Sequence, residues 1–192
     1  KKIGLETYGK PGNYVARQLS RWTKQYLASE TETIPEMDNL IEWLANNIPD
    51  DDETSIVHGD YRLDNMIYKN HEVIGVLDWE LSTLGHPIAD FSYHCLTWRT
   101  LPAMSDLKLI KELGIPSEVE YRDMYSEYTG KDISKNWEFY MVFNMFKIAA
   151  ICQGILGRVR DGTASSKHAE ERGMQVFPIS KGAWSIVETN FK

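Results

Sequence analysis

The sequence predicts an α+β fold that is mainly helical, with helices set around one small β-hairpin. Two observations carry this. Apolar residues recur at helical spacing in the first third and again after Pro87, whereas the stretch from Thr54 to Leu77 breaks into short β-branched runs around a polar loop and a turn. A chain of 192 residues is also long enough for one proper core, so positions 1–192 read as a single domain.

Taken in order, Val15, Leu19, Trp22 and Tyr26 share one helical face, and Pro11-Gly12-Asn13 supplies a start signal. A second helix is expected over 37–47, with Leu40, Ile41, Trp43 and Leu44 as its inner face. Pro49 and the acidic run Asp50-Asp51-Asp52-Glu53 end it as a solvated loop. Ser55-Ile56-Val57, Met66-Ile67-Tyr68 and Val73-Ile74-Gly75-Val76-Leu77 are strand candidates, the last two joined by a turn at Lys69-Asn70-His71-Glu72. Further helices are expected over 88–98, 106–113, 117–128, 137–156 and from 167 or later to 191, with 157–166 as a loop. The most apolar run, 139–152, is interrupted by Asn144 and Lys147. It falls short of the ~20 residues a membrane span needs, so it reads as a buried central helix.

Composition narrows the function. A formal charge of −7 argues against an extended nucleic-acid or anionic-membrane surface, although a local phosphate site is compatible with it. Cys95 and Cys152 sit in apolar stretches without zinc spacing and read as buried thiols in a reducing, intracellular compartment. The start, Lys1-Lys2-Ile3-Gly4-Leu5-Glu6-Thr7, turns polar at once and lacks a methionine, which suggests an internal piece of a longer polypeptide. No Gly-x-Ser-x-Gly elbow occurs.

The polar loop between the first two strand candidates carries the chemistry. Phosphoryl transfer needs a carboxylate beside the attacking hydroxyl, and oxygen ligands that hold magnesium against the nucleotide phosphates. Here His58-Gly59-Asp60 opens the loop, and Asn65 follows Asp60 by five positions. A hairpin then leads to Asp78 in Val76-Leu77-Asp78-Trp79-Glu80. The hairpin brings its two flanks together, so Asn65 and Asp78 can reach one ion. Alone, Asp60 would be an ordinary turn residue and Asn65 an Asx-turn or cap; the joint spacing with Asp78 separates them from that reading.

These motifs, with Gly85-His86-Pro87-Ile88-Ala89-Asp90, resemble the aminoglycoside phosphotransferase and choline kinase family, which shares the protein-kinase fold and acts on small hydroxylated molecules. The resemblance spans Val57 to about Tyr93. Tyr8-Gly9-Lys10-Pro11-Gly12-Asn13-Tyr14, Asp78 to Gly85 and Ala149 to Ile155 resemble in particular the kinase-like domain fused to acyl-CoA dehydrogenase family members ten and eleven. The resemblance implies a C-terminal lobe of the protein-kinase-like fold, with ATP and Mg2+ as cofactors and a small-molecule hydroxyl as acceptor, a hydroxyacyl compound among the candidates. Asp60 would be the catalytic base. His58 joins it in the catalytic loop, more as a brace than a proton carrier. Asn65 and Asp78 would bind the metal and nucleotide, and Asp90 would support the loop by hydrogen-bonding its backbone. Asp64 and Glu80 lie nearby without assigned contacts.

The family also carries an N-terminal lobe with a Lys-Glu pair and a loop over the phosphates. No Gly-x-Gly-x-x-Gly segment occurs here, so that lobe and a dehydrogenase domain, which alone would hold FAD, are expected in the parent chain. This chain by itself is expected to be inactive, and a mitochondrial or peroxisomal address would follow from the fusion. Two other readings compete: a non-catalytic pseudokinase or interaction module, and a metal-dependent phosphohydrolase built on His58, Asp60, Asp78, His86 and His94. The second gives Asn65 no purpose. The bland readings place Asp90 as a helix cap or first-turn residue, His86 and His94 as structural, and Trp22, Trp43, Trp98, Trp137 and Trp184 as core or cleft walls.

Overall fold

The computed structural model describes residues 7–51 and 53–191. The polar opening 1–6, Asp52 of the acidic run and Lys192 lie outside the described residues. In chain order the elements are α1 (Tyr14–Ser29), α2 (Pro35–Asn46), β1 (Ser55–Val57), β2 (Met66–Lys69), β3 (Glu72–Val76), β4 (Thr83–Gly85), α3 (Pro87–Cys95), α4 (Thr97–Thr100), α5 (Leu107–Glu112), α6 (Glu118–Thr129), α7 (Trp137–Arg160), α8 (Ala169–Met174) and α9 (Val176–Asn190). Single 3-10 turns occur at Leu63–Asn65, Trp79–Leu81 and Pro102–Ser105. Two compact units can be distinguished: Lys1–Gly12 with Glu53–Trp137, and Asn13–Asp52 with Glu138–Lys192.

Among the described residues, the regular elements of the second unit are all helices. α1 buries Val15, Leu19 and Tyr26, and α2 buries Met37, Leu40 and Leu44. Ile41 and Trp43, expected on the inner face of α2, are only half-buried. Met37 fills that side instead, while Trp43 packs its ring on Phe139 and Phe191, with centroids 5.9 and 4.8 Å away. Helix α7 is long and apolar enough, by length and composition alone, to cross a membrane, yet 72% of its apolar window is buried inside the structure. That burial marks a core helix, as the interrupting Asn144 and Lys147 suggested.

Buried Gln153 on α7 donates through Nε2 to the carbonyl of Ser29 at 2.7 Å and to Thr31 Oγ1 at 3.0 Å, satisfying the C-terminal end of α1. One turn further on, a Cβ at Gly157 would lie 3.0 Å from the same Ser29 carbonyl. The predicted loop at 157–166 therefore starts too early. Gly157 is not a breaker; it is the small residue that lets α7 approach α1, and the helix continues to Arg160.

The four strands among the described residues all lie in the first unit. β2 and β3 form the expected hairpin, Met66 opposite Val76 and Lys69 opposite Glu72, with a bulge between Ile67 and Tyr68. β1 pairs antiparallel with β4, Val57 opposite Thr83 and Ser55 opposite Gly85. β4 was not expected. Its three residues are too few for alternation to show, and only the partner strand defines them. Helix α3 begins at Pro87, whose missing N–H costs nothing at that position, and the ring Nδ1 of His86 accepts from the Ile88 amide at 3.3 Å as the cap. The helix expected over 88–98 breaks at Leu96 into α3 and α4. Glu53, read as part of a solvated loop, pairs with Lys131.

Around Glu118, at the start of α6, Arg99 donates Nε to Oε2 at 2.8 Å and Nη2 to Oε1 at 2.6 Å, and the Trp137 indole donates to Oε1 at 2.7 Å. Burial alone would raise the Glu118 pKa, but the hydrogen bonds and charge of Arg99, then Trp137 and Arg122, outweigh it and hold the carboxyl below its usual range. A depressed folded pKa contributes stability that is fully present above the unfolded carboxylate value and is lost as pH falls through the folded one. Unfolding free energy should therefore decline on acidification below about pH 4.3, and Glu118→Gln should flatten that limb in denaturant titrations run at several pH values. An unchanged acid limb would deny the triad that role.

Candidate active site

All of the residues singled out from the sequence for catalysis, metal binding and loop support fall in the first unit. The loop 58–65 begins where β1 ends, and α3 anchors it. Asp90, in the first turn of α3, accepts from the backbone N–H of His58 at 2.6 Å (Oδ2) and from that of Gly59 at 2.9 Å (Oδ1). Two charge-assisted bonds thus fix the start of the loop. Gly59 has φ +84, and a Cβ there would stand 2.7 Å from the Leu81 carbonyl oxygen, so only glycine fits between the loop and the Trp79–Leu81 turn.

His58 is buried. Its Nε2 lies 2.7 Å from the Leu77 carbonyl, which can only accept, so Nε2 carries the proton. Its Nδ1 accepts from the Asp60 backbone N–H at 3.3 Å. Both ring nitrogens are therefore engaged, and the ring packs against Trp79 with centroids 4.8 Å apart. The imidazole ties the loop to the far end of β3.

Asp60 and Asn65 are half-buried and in contact. Asn65 Nδ2 donates to the Asp60 carbonyl at 2.9 Å and to Asp60 Oδ2 at 3.0 Å. The other carboxylate oxygen, Oδ1, accepts from the Tyr93 hydroxyl at 2.9 Å. The Asn65 carbonyl in turn accepts from the Leu77 N–H at 2.8 Å, continuing the β2–β3 ladder outward. Asn65 and Asp78 consequently flank the two ends of one hairpin. Asp78 is exposed and left-handed, φ 64 and ψ 50, a conformation that aspartate tolerates better than most residues and that concentrates at functional sites.

Donor chemistry provides the test for a magnesium site. Asn65 spends its amide N–H on Asp60, which leaves Oδ1 without a described partner, and the Asp78 carboxylate likewise has none. Two such oxygens suit a hard cation that keeps water and phosphate oxygens as its remaining ligands. Arg62 is paired with Asp64 and feels the charge of Asp60; Glu80 is exposed in the turn after Asp78.

The histidines do not converge. His86 is a buried helix cap. His94 is buried against Tyr61 and Tyr121, with its Nε2 3.3 Å from the Tyr121 hydroxyl. Burial holds its pKa below the usual value, against the opposing pull of the Tyr61 backbone and Asp90. Among the described residues, no group of three or more His, Cys, Asp or Glu side chains is placed to hold a metal ion.

One cavity of about 590 Å³, lined by Arg122, Ser126, Glu127, Lys131, Asp132 and Ser134 among others, includes none of these residues. Near Asp60, residues Leu77, Asp78, Trp79 and Leu81 are exposed. Tyr93 is the residue that sequence reasoning missed. Its spacing of three from Asp90 on a helix was the available clue, since both then face the same way.

A loop carboxylate braced from a helix, followed by an amide and a second carboxylate across a hairpin, is the arrangement of a kinase-like phosphotransferase. Residues 1–125 match the model of the phosphotransferase enzyme family, and the chain belongs to that family. A Ralstonia eutropha crystal structure carrying the provisional name of aminoglycoside phosphotransferase is 51% identical, with a TM-score of 0.92 over 98% of this chain and 59% of its own. The fold is therefore kinase-like. Acyl-CoA dehydrogenase family member 10 of Mus musculus is 44% identical over 95% of this chain, and member 11 of Homo sapiens is 42% identical over 98%. The chain spans only 18% and 25% of those two proteins.

Proposed function

We propose that the chain is the acceptor-side, C-terminal lobe of an ATP- and Mg2+-dependent phosphotransferase that moves the γ-phosphate to a hydroxyl of a small molecule. The observation that carries this reading is the Asp60 carboxylate, held through both oxygens by Tyr93 and Asn65, with Asn65 and Asp78 flanking the two ends of one hairpin. Asp60 would orient the acceptor hydroxyl and take its proton as the new O–P bond forms. Asn65 and Asp78 would hold magnesium, which when bound neutralises charge on the phosphate oxygens. His58 and Asp90 would keep the loop in shape without touching the acceptor.

The rest of the site would come from the same polypeptide. Ile67, Ile74, Leu77, Trp79 and Leu81 are exposed around the hairpin and the Asp78 turn, and that much apolar surface beside a polar site supports an upper, nucleotide-binding lobe there. The lengths and names of the relatives support a fused acyl-CoA dehydrogenase domain, and with it a hydroxyacyl acceptor and a mitochondrial or peroxisomal address. The free, buried Cys95 and Cys152 suit a reducing compartment.

The test is Mg·ATP-dependent phosphate transfer by the complete polypeptide to hydroxyacyl, amino-alcohol and aminoglycoside acceptors. Transfer to one class is the expected result, with none from this chain alone. No transfer and no nucleotide binding would replace the reading with a non-catalytic interaction module. Asp78→Asn should raise the half-saturating Mg2+ concentration by about 10-fold or more, measured as the magnesium dependence of the rate. An unchanged requirement would remove Asp78 from the metal site.

A further inference from the structure

We infer that Tyr93 is a positioning residue for the transfer, fixing the rotation of the Asp60 carboxylate through its hydroxyl. The inference rests on the reading of Asp60 as the base. A carboxylate held at one oxygen only can still swing about its last torsion; one held at both cannot. Asn65 holds Oδ2 from within the loop, at 3.0 Å. Tyr93 holds Oδ1 from α3, at 2.9 Å. The two donors come from different elements, so the second is not redundant with the first.

Helix geometry makes Tyr93 suited to this. It lies three residues after Asp90, on the same face of α3, so a single helix fixes the loop twice: Asp90 at the backbone of His58 and Gly59, and Tyr93 at the side chain of Asp60. The ring is half-buried. Burial first, then the charge and hydrogen bond of Asp60, push its phenol up to about 12, against an opposing pull from Arg62. Its hydroxyl is therefore a donor throughout the neutral range, and it has no proton-transfer duty of its own. Displacements of an ångström in reacting groups cost about 100-fold in rate, so loss of one of two restraints should be visible.

The experiment uses the complete polypeptide with Mg·ATP and water as the acceptor probe. Tyr93→Phe should lower kcat about tenfold while KM for Mg·ATP stays within about twofold and the melting temperature is unchanged. In an Asp60→Asn background the same substitution should have no further effect. Equal losses in both backgrounds, a loss carried wholly by KM, or an unaltered kcat would each overturn the inference. A second measurement separates it from the reading it rests on. In the proton NMR spectrum of this chain, the Tyr93 hydroxyl should appear downfield in slow exchange, vanish in Tyr93→Phe and move in Asp60→Asn. If that signal is present but Asp60→Asn retains full activity, the base assignment fails while the contact stands. If the signal is absent or indifferent to Asp60, the positioning role fails whatever the activity shows.

Discussion

Asp60→Asn is expected to lower kcat for phosphate transfer by the complete polypeptide about 10²- to 10⁴-fold, the usual contribution of a positioned base, while nucleotide binding survives. The change is nearly isosteric, and what it removes follows from the hydrogen bonds. An amide offers one oxygen and one NH2 group, whereas Tyr93 and Asn65 present a donor to each side of the present carboxylate. One of them must then face another donor, at a cost of about 1 kcal/mol or slightly more, which leaves the fold intact. Rates read beside nucleotide affinity and melting temperature make the result interpretable. A mutant with near-native kcat would mean that Asp60 does not act on the acceptor hydroxyl.

Asp90 carries the largest expected effect on stability. Alanine there leaves the backbone N–H groups of His58 and Gly59 without their acceptors, in a segment where His58 is 3% exposed. An unsatisfied buried donor costs about 1–3 kcal/mol, so Asp90→Ala should destabilise the chain by about 3 kcal/mol, read as a lower denaturant midpoint at constant slope. Asp90→Asn keeps an acceptor oxygen and should lose about half as much. Activity should fall with Asp90→Ala as well, because the Asp60 carboxylate loses its platform. A midpoint shift below about 0.5 kcal/mol, typical of an exposed position, would show that the loop keeps its shape unaided.

Much of this was readable from the chain because the informative patterns are local. Helices α1 and α2 were signalled by apolar spacing and α7 by its long apolar run, and the hairpin by a turn between β-branched runs. The order of Asp60, Asn65 and Asp78 was visible because a hairpin of known length separates them. What escaped detection depends on partners distant in sequence. Three-residue β4 is a strand only because β1 lies beside it, and Gly157 continues a helix only because Ser29 is packed against it. Tyr93 looked like one more aromatic on a helix; its contact with Asp60 exists only once α3 is laid along the loop.

The hydrogen bonds described around Asp60, Asn65 and His58 all lie between His58 and Tyr93, one uninterrupted run of sequence. The reactive apparatus is in that sense portable. A single stretch carries this hydrogen-bond network, and the same stretch can be inherited within polypeptides of very different length.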